Sequence, residues 1–549
     1  METGGPDSFK AFSETLERVR RTASKNEKID ILGGYLGTLG EASLSPAVRF
    51  MIGKEASEGD IGVGWRVVLD ALGDVVKVSE EALSDGYVRH GDLGSVAEEL
   101  LAGGQRAVSL AQEPLTIQRI SKAFDEMAGA RGSGSSSGKR RLLVGLMMDA
   151  GPLEAKYLIR IITNEIRVGA TAGLVEEALA RAFGEDPEKV RNALLVTGDV
   201  GEVAGLLRRG KLGEARPRLY RPVAFMLAEP KGSAKEIQEH FQKEVRAELK
   251  YDGIRLQAHV GREVRLFSRR MEDVTPTMPE IRDCLRGMRK EAILDGEALA
   301  FDGEKPIPFV KMQTRLHRKN ITFEERERTP IFYFVFDLLY LDGRSILDEP
   351  LEARREALEK LTFRDRVRVA PQWRASGAEE LQKMFRESRE GGFEGLMVKD
   401  PASPYTPGRR GGMWVKLKEE LDTLDVVVVA AEWGNGKRAG LLSDYTFAVR
   451  DGEGLRVIGK AYSGLTDEEI SFMTEKMKEL AVRWEGHRCI VRPAVVLEVT
   501  FDSIQLSDRH DSGYALRFPR IKNIRLDKSP EEADTLDRVR EIYEKQRVK

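Results

Sequence analysis

From Phe9 to about Phe183, apolar residues recur at three- and four-residue spacings with glutamate, arginine and lysine between them, as in Tyr157-Leu158-Ile159-Arg160-Ile161-Ile162 and Leu174-Val175-Glu176-Glu177-Ala178-Leu179. That period predicts amphipathic helices and an all-helical first domain. Around Gly210 to Leu227 the composition shifts to Pro, Arg and Gly, and Pro217 and Pro222 prevent a continuous helix, so the first boundary falls here. Strands and helices then mix: Glu263 to Ser268 and Glu291 to Phe301 read as strands, Leu351 to Leu361 and Glu379 to Ser388 as helices. The apolar run Ile331 to Leu341 contains Asp337 and is too short for a membrane span; it reads as a buried central strand. After Lys418, short β-branched segments (Val426 to Ala431, Tyr445 to Val449, Leu455 to Ala461, Val495 to Phe501) are separated by Gly-rich turns, the spacing of a small β-barrel. Ser529-Pro530-Glu531-Glu532 predicts a capping-box start for a charged final helix. The expected division is three domains, 1–218, 219–418 and 419–549.

At 549 residues the chain is too long for one core, and 41% hydrophobic with 32% charged residues describes a globular protein with densely charged faces. No apolar stretch spans a bilayer and Met-Glu-Thr-Gly-Gly carries no signal-peptide pattern, so no membrane partner is expected. Cys284 and Cys489 are too few for a four-thiolate zinc site and read as core residues. The net charge of -2 gives no global support for nucleic acid binding. Locally, Lys139-Arg140-Arg141, Arg208-Arg209-Gly210-Lys211, and Arg216, Arg218 and Arg221 form basic patches that either face phosphates or are solvated surface. Arg131 to Gly138 is a Ser/Gly linker expected to be a loop between helices. Its Gly138-Lys139 end fails as a phosphate-binding loop, because Arg140 stands where Ser or Thr is needed.

Candidate chemistry begins at Lys250, in Lys-Tyr-Asp-Gly-Ile-Arg. The residues before it alternate, so Arg246, Glu248 and Lys250 share one face of a strand that ends in a Gly turn. Alone this favours an ordinary edge hairpin over a nucleophile. Six further pieces follow in order: Phe267-Ser268-Arg269-Arg270 brings cations, Leu294-Asp295-Gly296-Glu297 a carboxylate ending an apolar strand, and Phe336-Asp337 an aromatic. Glu394-Gly395-Leu396-Met397-Val398-Lys399 repeats the carboxylate, and Trp414-Val415-Lys416-Leu417-Lys418 aims two lysines to one face. A basic Arg517-Phe518-Pro519-Arg520 segment closes the set. Together they supply what nucleotidyl transfer needs: a lysine nucleophile, carboxylates for a metal, cations for phosphate charge and a ring for a base.

These motifs, in this order and over nearly the whole chain, resemble the ATP-dependent DNA ligases of the archaeal and eukaryotic type. The resemblance implies a multidomain fold: an all-α DNA-binding domain, an α+β adenylation (nucleotidyltransferase) domain and an OB-fold β-barrel with a C-terminal helix. It implies that Lys250 forms a covalent lysine-AMP, that Glu248 and Arg255 contact base and sugar, and that Arg269 lines the nucleotide site. Glu297 and Glu394 become the metal-associated carboxylates, and Phe336 the ring stacked on adenine. Arg410, Lys416 and Lys418 become the cations near the α-phosphate. Arg517, Arg520, Arg525, Asp527 and Lys528 become the last motif, closing over pyrophosphate, with Lys418 to Asp422 as the hinge. ATP and Mg²⁺, with Mn²⁺ as a substitute, are the implied cofactors. Nicked duplex DNA is the implied partner of a monomeric enzyme of replication, repair and recombination, intracellular in any case and, if archaeal, cytoplasmic and nucleoid-associated. The sequence departs from the family where relatives carry a sliding-clamp peptide: Leu110 and Ala111 stand at the aromatic anchor positions, putting clamp binding in doubt. The rival readings are an RNA-capping guanylyltransferase or an RNA ligase, a nicotinamide-dependent ligase, and a non-catalytic DNA-binding scaffold.

Overall fold

The computed structural model describes residues 5–54, 61–103, 107, 113–130, 132, 134–302, 305–307, 326, 330–418 and 422–548. The chain divides into two compact units, one of Met1–Glu229, Asp252–Pro371 and Lys399–Trp414, the other of Pro230–Tyr251, Gln372–Val398 and Val415–Lys549.

The first unit begins with helices, twelve among the described residues, from Phe9–Arg21 to Val200–Arg208. Polar residues start them and also tie them together. Asp92 caps Leu93–Ala102 by accepting from Gly94 and Ser95 N–H, and its carboxylate receives Arg160 of the helix Pro152–Ile162 at 2.8 and 3.1 Å. Burial works against the Asp92 charge, but Arg160, Ser95 and the Gly94 amide overcome it and hold the carboxyl at about 2. Asp199 repeats the device, capping Val200–Arg208 while accepting from Arg49 of the helix Glu41–Met51. Each acid therefore serves a helix N-terminus and an interhelical clamp at once. The Ser/Gly segment expected as a loop is partly helical: Ser135–Asp149 is one helix, entered from Gly134 at φ +94. Burial of Leu143, Leu146 and Met147 outweighs the poor helix propensity of its serines. Of the basic run in it, Lys139 is buried, Arg140 pairs with Asp74 at 2.6 Å and Arg141 is exposed.

The same unit carries a seven-stranded sheet. With β1 (Leu227–Lys231), β2 (Val245–Lys250), β3 (Ile254–Val260), β4 (Val264–Ser268), β5 (Ala292–Asp302), β6 (Lys305–Pro306), β7 (Ile331–Leu341), β8 (Arg344–Ser345) and β9 (Val367–Val369), the order is β4-β3-β5-β7-β8, with β6 on β5 and β9 on β7. The run from Ile331 is an interior strand, as its hydropathy predicts. Its Tyr333 hydroxyl donates toward the Leu256 and Leu294 carbonyls, 2.9 and 3.1 Å away.

A buried polar network fixes the chain entering this sheet. His259, 0% exposed, accepts the Tyr220 N–H at Nδ1 (2.9 Å), which leaves Nε2 to donate to Gln257 Oε1 (2.8 Å). Gln257 also bonds both backbone groups of Val223. Burial, with Arg265 adding, pushes the imidazole down from 6.5 to about 3. Between those values the unfolded chain binds a proton that the folded chain does not, so stability falls as pH drops from about 6.5 toward 3. The expected slope from this group is up to about 1.4 kcal/mol per pH unit. Urea midpoints at pH 7, 6 and 5 should fall more steeply for the natural chain than for His259→Gln; parallel curves would show that the imidazole is not responsible.

β10 (Gln372–Ala375), β11 (Gly395–Lys399) and β12 (Arg410–Lys418) complete a five-stranded sheet ordered β1-β12-β11-β2-β10, of which β2, β10 and residues 395–398 and 415–418 belong to the second unit. Ile237, Val245, Ala247, Leu396, Val398, Val415 and Leu417 form its core. The C-terminal region is a sheet of β13 (Thr423–Trp433), β14 (Leu442–Asp451), β15 (Gly454–Ala461), β16 (Ala481–Glu485), β17 (Arg488–Val491), β18 (Val496–Thr500) and β21 (Arg520–Ile524). A separate pair is formed by β19 (Ser503–Leu506) and β20 (Tyr514–Arg517). All the barrel segments expected after Lys418 are strands. The capping box at Ser529 closes a 3-10 turn, Pro530–Glu532, instead of starting the last helix. That helix is Leu536–Val548, and Thr535 caps it by accepting from Arg538 N–H.

Candidate active site

Lys250 ends β2, Glu394 immediately precedes β11 and Lys418 ends β12, and the order β12-β11-β2 brings the three to one end of the five-stranded sheet. One carboxylate joins them: Glu394 Oε2 accepts from Lys250 Nζ and Oε1 pairs with Lys418 Nζ. The Glu394 N–H also donates to the Lys250 carbonyl at 2.9 Å. The approach depends on Gly395, at φ +149, where a Cβ would stand 2.1 Å from the Leu417 carbonyl oxygen. The glycine following Glu394 is thus a steric condition of the cluster. Two ammonium groups, the type of group that meets a phosphate, thus converge on one carboxylate.

Behind Lys250 the strand alternates as expected. Val245 and Ala247 enter the apolar core, leaving Arg246, Glu248 and Lys250 on the other face. Glu248 is buried and accepts from Gln372 Nε2 at 2.7 Å, its cross-strand partner on β10. Lys416, two residues before Lys418, is half-buried on the same face of β12.

The first unit holds a second group. Arg255 on β3 makes a two-point bond to Asp295 on β5, at 2.8 and 2.7 Å, and Asp295 is fully buried. Tyr405 donates to Asp295 Oδ2 at 2.7 Å and accepts from Met226 N–H at 3.0 Å, so every member of the cluster is held. Burial opposes the Arg255 charge, and the Asp295 carboxylate beside it reverses the balance and raises the guanidinium pKa. The guanidinium carbon lies 5.1, 4.9 and 6.0 Å from the ring centres of Phe225, Phe336 and Trp414. Phe336 gets its direction from a β-bulge: Gly296 pairs Val335 and Asp295 pairs Asp337, so Phe336 is the extra residue of β7. Glu297 is half-buried and lies directly across from Arg255 in the β3–β5 register. Lys399 is buried, its Nζ 4.5 Å from the Phe336 ring centre and 4.2 Å from that of Trp414.

Of the remaining residues singled out from sequence, Arg269 is exposed in the turn after β4 and Arg410 is exposed at the start of β12. The last motif forms a cluster of its own. Arg525 pairs with Asp527 at 2.7 Å, and both Arg525 and Lys528 reach Asp425 of β13. Hydrogen bonding from Arg525 holds the Asp527 carboxyl at about 2. Arg517 lies against the Phe518 ring at 5.0 Å, and Arg520 is exposed at the start of β21. Leu110 and Ala111 of the clamp segment, and Glu419 to Leu421 of the hinge, lie outside the described residues. Sequence reasoning missed Asp295 and Tyr405 as holders of Arg255. Asp295 carried a signal, a charge inside the apolar run Ile293-Leu294-Asp295-Gly296, whereas Tyr405 carried none. Among the described residues no group of three or more His, Cys, Asp or Glu gathers in a metal-binding cluster.

The comparisons agree with the order of these parts along the chain. Residues 8–180 match the family model of the DNA ligase N terminus, 225–418 that of the ATP dependent DNA ligase domain, and 438–528 that of the ATP dependent DNA ligase C terminal region. The chain is 42% identical to a probable DNA ligase of Koribacter versatilis, over 97% of this chain and 96% of that protein. It is 39% identical to a DNA ligase of Methanothrix thermoacetophila and 38% identical to one of Archaeoglobus fulgidus, in both cases over 98% of this chain and 99% of the relative. A helical N-terminal domain, a central adenylation domain and a C-terminal sheet domain, each matched in sequence order, place this chain in the ATP-dependent DNA ligase family.

Proposed function

We propose that Lys250 is the residue through which this chain seals nicks in duplex DNA at the expense of ATP. The observation that carries the reading is the single carboxylate of Glu394 shared by Lys250 and Lys418. Attack on the α-phosphate of ATP requires an unprotonated amine, and Glu394 is the acceptor at Nζ. The amine displaces pyrophosphate and forms a phosphorus-nitrogen bond to AMP. AMP then passes to the 5'-phosphate at the nick, and the adjacent 3'-hydroxyl attacks that phosphate and releases AMP. Lys416, Lys418 and Arg410 offset charge on the α-phosphate, while Phe336 stacks on adenine and Glu248, Arg255 and Arg269 hold base and sugar.

Arg517, Arg520, Arg525, Asp527 and Lys528 serve the pyrophosphate side, brought there by a swing about Lys418 to Asp422. Glu297 and Glu394 fit magnesium, or manganese in its place. They offer hard oxygens, and this ion takes one or two carboxylates and fills its shell with water and substrate phosphate, so a larger acidic cluster is not needed. When bound, the ion would offset charge on the transferring phosphate.

In the same reading the helical domain spans 1–218 and grips DNA, the adenylation domain spans 219–418, and 419–549 is an OB-fold barrel with its helix. The enzyme acts as a monomer in replication, repair and recombination, inside the cell and, if archaeal, at the nucleoid, and the missing aromatic anchors at Leu110 and Ala111 weaken any sliding-clamp binding through that segment. The capping-enzyme and RNA-ligase readings are not favoured, because the relatives along nearly the full chain, helical region included, are DNA ligases. With magnesium and α-labelled ATP, GTP or NAD offered separately, ATP should label the protein, and nicked DNA should discharge the label as AMP. Labelling by GTP alone would overturn the assignment.

A further inference from the structure

Away from the residues given roles above, the β3–β4 hairpin and the helix Pro279–Leu285 enclose a concavity of about 710 Å³. Four arginines line it, Arg262 and Arg265 from the hairpin and Arg282 and Arg286 from the helix and its end, against two carboxylates, Glu263 and Asp273. The lining is therefore net positive in a chain whose formal charge is -2.

The arginines are placed by specific contacts. The guanidinium carbons of Arg262 and Arg265 lie 5.4 and 5.2 Å from the centre of the Tyr220 ring, so one aromatic surface orients both. Tyr220 is itself fixed, its hydroxyl bonding the Glu263 carbonyl and amide at 3.3 and 3.1 Å and its own N–H bonding His259. It holds a left-handed φ of +68, costly for a tyrosine, and it packs so close to the hairpin that a Cβ on Gly261 would stand 2.7 Å from its hydroxyl. Arg282 and Arg286, four apart, project to one side.

The acids do not close the site. Glu263 pairs with Arg265 at 2.6 Å and Asp283 with Arg282 at 2.8 Å, both at partly exposed positions where such pairs are weakly held and exchangeable. Asp273 is turned to the Thr275 amide and hydroxyl. Among the described residues Arg286 has no carboxylate partner. Planar forks that can drop a surface carboxylate suit the two-point recognition of a phosphate oxygen pair.

We infer that this arginine-lined concavity is a phosphate-binding site separate from the nucleotide site, taking backbone phosphates of the duplex substrate. The duplex assignment rests on the DNA ligase reading; free phosphate or pyrophosphate would satisfy the same chemistry.

The test compares the full natural chain with R282E/R286E and with the milder R286Q, which also serves where the double variant melts early. Self-adenylation by ATP should be unchanged in both, and its absence from the natural chain would instead count against the ligase reading. For backbone phosphates, KM for nicked DNA should rise several-fold with kcat little changed. The slope of log binding constant against log salt should become shallower by about 0.9 for each DNA phosphate that the variant no longer neutralises. If the DNA terms stay put but calorimetric binding of inorganic phosphate or pyrophosphate is abolished, the site stands and its ligand is the free anion. If the variants match the natural chain in DNA affinity, salt slope and anion binding, there is no such site.

Discussion

Lys250→Ala should carry no nucleotide after incubation with magnesium and labelled ATP, and its nick sealing should fall by a factor on the order of 10⁴ or more, since no other group can take over a covalent nucleophile. The fold should survive. Lys250 is partly exposed, and Glu394 keeps Lys418 as a partner, so the stability cost stays within about 1 kcal/mol. The sharper part of the expectation is what remains. Given a nick whose 5'-phosphate already carries AMP, the variant should still join the strands at a substantial fraction of the natural rate, because the lysine-AMP step has been bypassed. Lys418→Ala should differ in kind: it retains the nucleophile but loses one of two cations at Glu394, and should slow labelling by roughly 10²–10³ without abolishing it. Gel autoradiography of the labelled protein and single-turnover sealing of adenylated DNA separate the two. Labelled Lys250→Ala protein would remove Lys250 from the chemistry.

Much of this arrangement was legible in the sequence, and the parts that were not share a physical cause. Lys250, Glu394 and Lys418 lie 24 to 168 positions apart in the chain, yet each sits at the end of a strand whose period could be read, and the sheet order unites them. Alternation placed Glu248 beside Lys250 correctly, because the opposite face of β2 is held in an apolar core. Two kinds of feature escaped. Phe336 was visible as an aromatic, but its direction comes from a bulge, an offset between two strands that neither strand encodes alone. The holders of Arg255 come from β5 and from a loop at Tyr405, with nothing periodic to link them. Local rules failed where tertiary burial outweighed them: serines entered a helix because Leu143 and Leu146 pack, and the capping box at Ser529 closed a short turn because Thr535 caps the helix that follows.

The charge inside the central strand carries the second large effect, in stability. Asp337 and Arg354 are both fully buried, joined by two bonds of 2.7 and 2.9 Å. The pair is satisfied on both sides: Arg354 also donates to the Glu349 and Ser403 carbonyls, and Asp337 accepts the Leu338 N–H. Arg354→Met should therefore destabilise this region by about 3–5 kcal/mol, because it strands a carboxylate in the core; the double change Asp337→Leu with Arg354→Met should recover most of that, since neither charge is then left buried. The measurement is amide exchange along β7 in the natural chain, the single variants and the double variant, which isolates the region even where the whole chain does not unfold in one step. Equal protection in Arg354→Met and the natural chain would show that the pair contributes nothing. The consequence reaches the site through two neighbours. Phe336 adjoins Asp337 at the bulge, and the Arg354 guanidinium lies 6.0 Å from the centre of the Tyr405 ring, whose hydroxyl holds Asp295 and through it Arg255. Loosening the pair should accordingly raise KM for ATP in the labelling reaction more than it lowers the rate at saturation, the pattern of impaired positioning with the chemistry intact.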